Sequence, residues 1–167
     1  MTPWMWFKLI HVFAGVFWLG GSLFAAMYLL AAARALGPAA GPVLKYVINV
    51  RKLPVALNAA AGLTTLSGLA MYDRLSGHFQ HLLITNFYGW MLTLGALFGI
   101  IALLWGALVP ARAAKQLGAL TGKLTGPPTP AQAAEIAALQ KRLHEGGTIG
   151  VVLMALALVG MALSHPI

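Results

Sequence analysis

The chain has 167 residues, 60% hydrophobic and 8% charged, with a mean hydropathy of +0.83. A soluble domain carries roughly 25% charged residues, so this composition excludes a soluble globular fold and predicts a single membrane domain. The net charge of +8 falls in connections beside apolar runs, which reads as membrane topology rather than as nucleic-acid binding, and zero cysteines exclude disulfides, thiolate metal sites and cysteine nucleophiles.

The predicted fold class is all-α: an integral membrane four-helix bundle with both termini outside and a cytoplasmic amphipathic helix before the last span. The first span covers residues 4–33. It is too long and too aromatic for a signal peptide, and Trp4 and Trp6 suit a membrane interface at its start. A polar connection, residues 34–52, carries the breakers Gly37-Pro38 and Gly41-Pro42, and residues 43–50 could continue as helix into the second span. That span is placed at residues 53–72, where Pro54 is tolerated in the first turn.

A short connection holding Arg74, His78 and His81 leads to the third span, residues 87–109, stopped by Pro110. Gly95 and Gly99 are four apart in it, a spacing that lets helices approach closely. The longest polar stretch, residues 111–145, is broken by Gly126-Pro127-Pro128. Thr129, Pro130 and Gln132 then form a capping box opening an amphipathic helix. The fourth span is placed at residues 146–164.

The basic residues set the orientation. Arg34, Lys45, Arg51 and Lys52 lie in the first connection, and Arg112, Lys115, Lys123, Lys141 and Arg142 in the third, whereas the second holds only Arg74. Connections one and three are therefore expected in the cytoplasm. Lys8, near the outer end of span one, snorkels outward in this reading.

One ionisable group lies deep in span one. An imidazole in hydrocarbon is costly and is expected to face the bundle interior or a bound group. His11, Gly15, Trp18 and Ser22 fall on one helical stripe, suited either to lining a flat ligand or to packing on another helix. Depth counting puts Met71, Met91 and Met161 in the layer of His11, with His165 just above, whereas His144 is a membrane thickness away. Two cofactor readings follow. His11 is an axial ligand of haem b, or His11 and thioethers such as Met91 hold copper. Asn58, Gly62 and Thr65 form a polar stripe on span two that hydrogen-bonds across the bundle or contacts a ligand. Arg34, Arg51 and Lys52 could hold haem propionates or anionic headgroups. No carboxylate pair, nucleophile–base pair or phosphate loop is present, so hydrolysis and phosphoryl transfer have no apparatus. A third reading is a non-catalytic subunit that docks on a larger membrane complex through glycine-rich faces of spans three and four.

His11 followed after six residues by Trp18-Leu19-Gly20-Gly21 resembles the first helix of the superfamily that includes bacterial copper-resistance protein D domains and the four-helix bacterial protoporphyrinogen oxidase family. Val50-Arg51-Lys52-Leu53-Pro54-Val55 and Leu139-Gln140-Lys141-Arg142-Leu143 are similar to the entries into spans two and four of the oxidase family. The resemblance implies a haem b ligand at His11, an oxidoreductase or electron-transfer role, and a place in the bacterial inner membrane. For the copper family it implies periplasmic copper handling. The oxidase family has an essential lysine early in span three; here Asn86-Phe87-Tyr88-Gly89-Trp90-Met91-Leu92 contains none. Expected partners are the lipid bilayer and either a membrane redox protein or a second copy of the chain.

Overall fold

The computed structural model describes residues 2–80 and 83–164; the readings placed on His81 and His165 lie outside the described residues. Four helical stretches among these residues are long and apolar enough to cross a membrane: Pro3–Leu36, Leu53–Leu75, Phe87–Gly122 and Pro130–Leu163. No strand is present among the described residues. The protein is an all-helical, multi-pass four-helix membrane bundle. Its outward surface carries large apolar side chains such as Phe13, Val16 and Leu66, each about two-thirds exposed or more. A continuous shell of that kind needs a lipid solvent rather than water.

Helix α1, Pro3–Phe24, starts with a proline in its first turn, where the missing N–H costs nothing. It passes through a π-helical segment, Ala25–Leu29, into α2, Leu30–Leu36. Gly37, at φ 55°, ends this helix in a conformation that favours glycine. A 3-10 turn, Gly37–Ala40, leads to α3, Gly41–Lys45, which continues as a second π-helical segment, Tyr46–Val50. The first connection is thus helical almost throughout, but it does not run unbroken into the second span. Lys52 adopts left-handed φ 52°, ψ 37° and separates it from α4, Leu53–Leu75.

Helix α5, Phe87–Leu108, is capped by Asn86, whose side chain accepts from the Gly89 N–H. Helix α5 stops just before Pro110, as the sequence suggested, but no polar loop follows. The chain bends at Val109 and re-enters a helix at once, α6, Pro110–Gly122. Ala113, Ala114, Leu117, Gly118 and Thr121 bury one face of α6, which packs on the last helix. The predicted capping box is present: Thr129 Oγ1 accepts from Gln132 N–H at 3.3 Å, and the Gln132 side chain accepts from Thr129 N–H at 2.9 Å. The amphipathic helix it opens is not separate from the fourth span. Both are one 34-residue helix, α7, Pro130–Leu163. Gly146 and Gly147 leave it unbroken, because Gly146 serves a close contact: a Cβ there would stand 2.8 Å from Val109 Cγ1.

The bundle is two tight antiparallel pairs. Helix α1 packs most extensively on α4, and α5 on α7, while the α4–α5 and α1–α7 contacts that join the pairs are sparser. In the second pair Trp105 Nε1 donates to Gly146 O at 2.9 Å, and Gly95 meets Gly160 near the opposite end. Trp18 of α1 sits where the pairs meet, in one core cluster with Ala60, Ala61, Ala102 and Met154. At the end away from the basic connections, Tyr72 Oη lies 2.8 Å from Thr93 Oγ1. Leu83 closes this knot, its N–H donating to Tyr72 Oη and its carbonyl accepting from Thr93 Oγ1.

Candidate functional site around His11 and Trp18

The α1 stripe lies along α4 in antiparallel register. His11 meets Gly68 and Thr64, Gly15 meets Thr64, Trp18 meets Ala60 and Ala61, and Gly21 meets Leu57. The face of α4 that receives α1 is therefore Ala60, Thr64 and Gly68, spaced four apart, rather than the predicted stripe Asn58, Gly62 and Thr65. A Cβ on Gly62 would touch nothing within 4 Å. Gly15 works here as a helix-packing position: a Cβ there would stand 3.5 Å from Thr64 Cγ2.

His11 is half-buried. Its Nδ1 lies 2.8 Å from the main-chain carbonyl of Thr64. A carbonyl only accepts, so Nδ1 is the donor and carries the proton. In the neutral imidazole Nε2 then holds the free lone pair. Gly68 makes room for the ring, since a Cβ there would stand 2.8 Å from His11 Cε1 and 3.1 Å from Nδ1. Ser67 Oγ, which donates to Leu63 O at 2.6 Å, also lies 3.1 Å from the Thr64 carbonyl. That carbonyl is thus approached by two side chains. Beside it, Thr64 Oγ1 is buried without a hydrogen-bond partner.

Seven residues further along α1, roughly 10 Å by helical rise, the surroundings change. Trp18, Ser22 and Asn58 line a half-open, largely apolar cavity of about 120 Å³ that His11 and Gly15 do not reach. The predicted set thus divides in two: His11 and Gly15 belong to the α1–α4 seam, and Trp18, Ser22 and Asn58 to the cavity. Arg51 is exposed at the basic end, next to Lys52, and does not line the cavity, although Leu53 and Pro54 immediately after it do. A second cavity, about 640 Å³, lies between α3, the residue 124–128 turn and the start of α7; it shares Leu44 with the first.

Met91 lies against α7, since its carbonyl would stand 2.8 Å from a Cβ on Gly160. Its helix packs on α7 and α4, whereas α1 packs on α4 and α7. His11 and Met91 therefore sit on helices diagonal to each other. Among the described residues no group of three or more His, Asp or Glu side chains is placed to hold a metal ion.

Thr64 and Gly68 are the neighbours of His11 that reading the sequence missed. Their signal was the Ala60, Thr64, Gly68 spacing, which matches the small-residue stripe of α1 once the two helices are laid antiparallel. Comparison with known protein families, curated proteins and solved structures returns no match to this chain.

Proposed function

We propose that the protein is a haem b-binding redox or electron-transfer protein of the bacterial inner membrane, with the basic end in the cytoplasm and His11 Nε2 as the axial ligand. The observation that carries this reading is the 2.8 Å contact from His11 Nδ1 to the Thr64 carbonyl. Histidines that ligate metals donate their other ring N–H to a carbonyl or carboxylate, which fixes the tautomer and raises the basicity of the ligating nitrogen. With Nδ1 occupied in this way, Nε2 is the ring nitrogen left with a free lone pair. The donor chemistry therefore fits the role. The cavity near Trp18 is not the seat of the ring, because at about 120 Å³ it is too small for a porphyrin and His11 does not border it.

Bound haem would supply one-electron chemistry. The chain's own contribution is to hold His11 in one tautomer against Gly68, and to keep water from the seam with the close α1–α4 packing. Arg51 and Lys52, a membrane depth away from His11, are assigned to topology and headgroup contact rather than to propionates.

The test is an absorbance spectrum of protein purified from cells grown with ample haem precursor. A Soret band that disappears in His11→Ala, with helical content retained, is expected. No band in the wild type, or an unchanged band in His11→Ala, overturns the reading.

A further inference from the structure

We infer that the cavity between the two helix pairs is a binding site for the end of one acyl chain of an anionic amphiphile, either a free fatty acid or a phospholipid. This inference does not depend on haem binding at His11.

The walls are built by local departures from regular helix. Ala25 and Leu29 come from the first π-helical segment, and Val47 and Ile48 from the second. The α5–α6 bend contributes Pro110. π-Helical turns are rare and cluster at functional sites; here the two among the described residues wall one space. Trp18 closes the cavity at the bundle centre, and the glycines of α5 and α7 widen it. A Cβ on Gly106 would meet nothing within 4 Å, so the space beside it is open.

The chemistry of the lining selects the occupant. Apart from the Ser22 hydroxyl, the Asn58 amide and the Trp18 indole, the lining side chains are hydrocarbon or thioether. The volume is close to that of the engineered apolar cavity, about 150 Å³, that stays dry and takes benzene. It therefore holds several methylenes but not a sterol. The apolar wall runs up to the basic end of the bundle. Leu53 and Pro54 of the wall follow directly on exposed Arg51 and Lys52, and Leu44 of the wall precedes exposed Lys45. A hydrocarbon pocket beside three cations matches an apolar chain with an anionic head.

The test uses the full chain in detergent and the fluorescence of Trp18. Lauric acid brominated near its methyl end should quench a saturable fraction of the emission, and Trp18→Phe should lose that fraction. Gly106→Leu fills the cavity and should weaken the saturable quenching at least tenfold while helical content is unchanged. Gly147→Ala, a milder filling at ordinary contact distance from Ala26, serves if Gly106→Leu does not fold. Arg51→Gln with Lys52→Gln should weaken the acid several-fold but leave the equivalent brominated alcohol unaffected. Brominated phosphatidylglycerol, tested in parallel, assigns the source: quenching by the phospholipid indicates a membrane lipid, and quenching by the acid alone a free fatty acid. Absence of saturable quenching by either, or quenching that persists in the folded cavity-filled variants, overturns the inference.

Discussion

Gly160 and Gly95 bring α7 and α5 so close that a Cβ on Gly160 would stand 2.8 Å from the Gly95 Cα and 2.9 Å from its amide nitrogen. These are backbone atoms and cannot swing aside. Gly160→Ala is expected to force the helices apart and destabilise the protein by about 1–3 kcal/mol, the usual cost of overpacking. Gly99→Ala is the contrasting case. Its Cβ would meet nothing within 4 Å, so the gain in helix propensity, up to about 1 kcal/mol, should leave stability unchanged or raised. Unfolding of the two variants in mixed detergent measures the difference, and equal destabilisation would contradict the crossing described above.

Gly68→Ala places a methyl group against the His11 ring, at 2.8 Å from Cε1. The ring can rotate, so the expected stability loss is small, about 1 kcal/mol. The contact to the Thr64 carbonyl should be lost. In histidine labelled with nitrogen-15, the His11 Nδ1 resonance should then change toward a mixture of tautomers, while Gly62→Ala, next to open space, leaves it unmoved. An unchanged Nδ1 signal in Gly68→Ala would show that Gly68 does not set the ring position.

Trp105→Phe removes the indole donor to the Gly146 carbonyl, 2.9 Å away. Hydrogen bonds between membrane helices contribute about 0.6 kcal/mol on average and about 1.7 at most. A loss within that range is expected in denaturant unfolding. A loss above about 3 kcal/mol would indicate that the ring's packing against α7, rather than its N–H, dominates.

Lys52 holds a left-handed conformation between two helices, which costs a side-chain-bearing residue about 1–2 kcal/mol. Lys52→Gly removes that cost and is expected to raise thermal stability slightly. Lys52→Val, β-branched and poorly suited to positive φ, should lower it. The opposite order of midpoints in a melting series would sink this account of the break.

Much of the fold was legible in the residues because the bilayer imposes a length and an apolar composition on each span. The start of α4 at Leu53, the start of α5 at Phe87 and the Thr129 capping box were all visible as local signals. The single continuous α7 was hidden because the fourth span was started at Gly146, which is a contact residue against Val109 and Pro110 inside the helix. Helix α6 was hidden by its charges. Arg112 and Lys115 suggested a loop, although Ala113, Leu117 and Thr121 already marked a buried helical face. At the candidate site, His11 was found from its cost in lipid. Its partner was not, because a main-chain carbonyl leaves no trace in residue identity. Only the pairing of α1 with α4 reveals which carbonyl it is.

The division of the bundle into an early pair and a late pair bears on how the chain is made. Every strong contact of α1 is with residues that leave the ribosome before Ser76, and the α5–α7 seam is encoded wholly after Asn86. The early hairpin can therefore enter the membrane and zip up along its own glycines before the late one is synthesised. Docking of the finished hairpins is then the last step of assembly, and Trp18 is the residue whose surroundings become complete only at that moment.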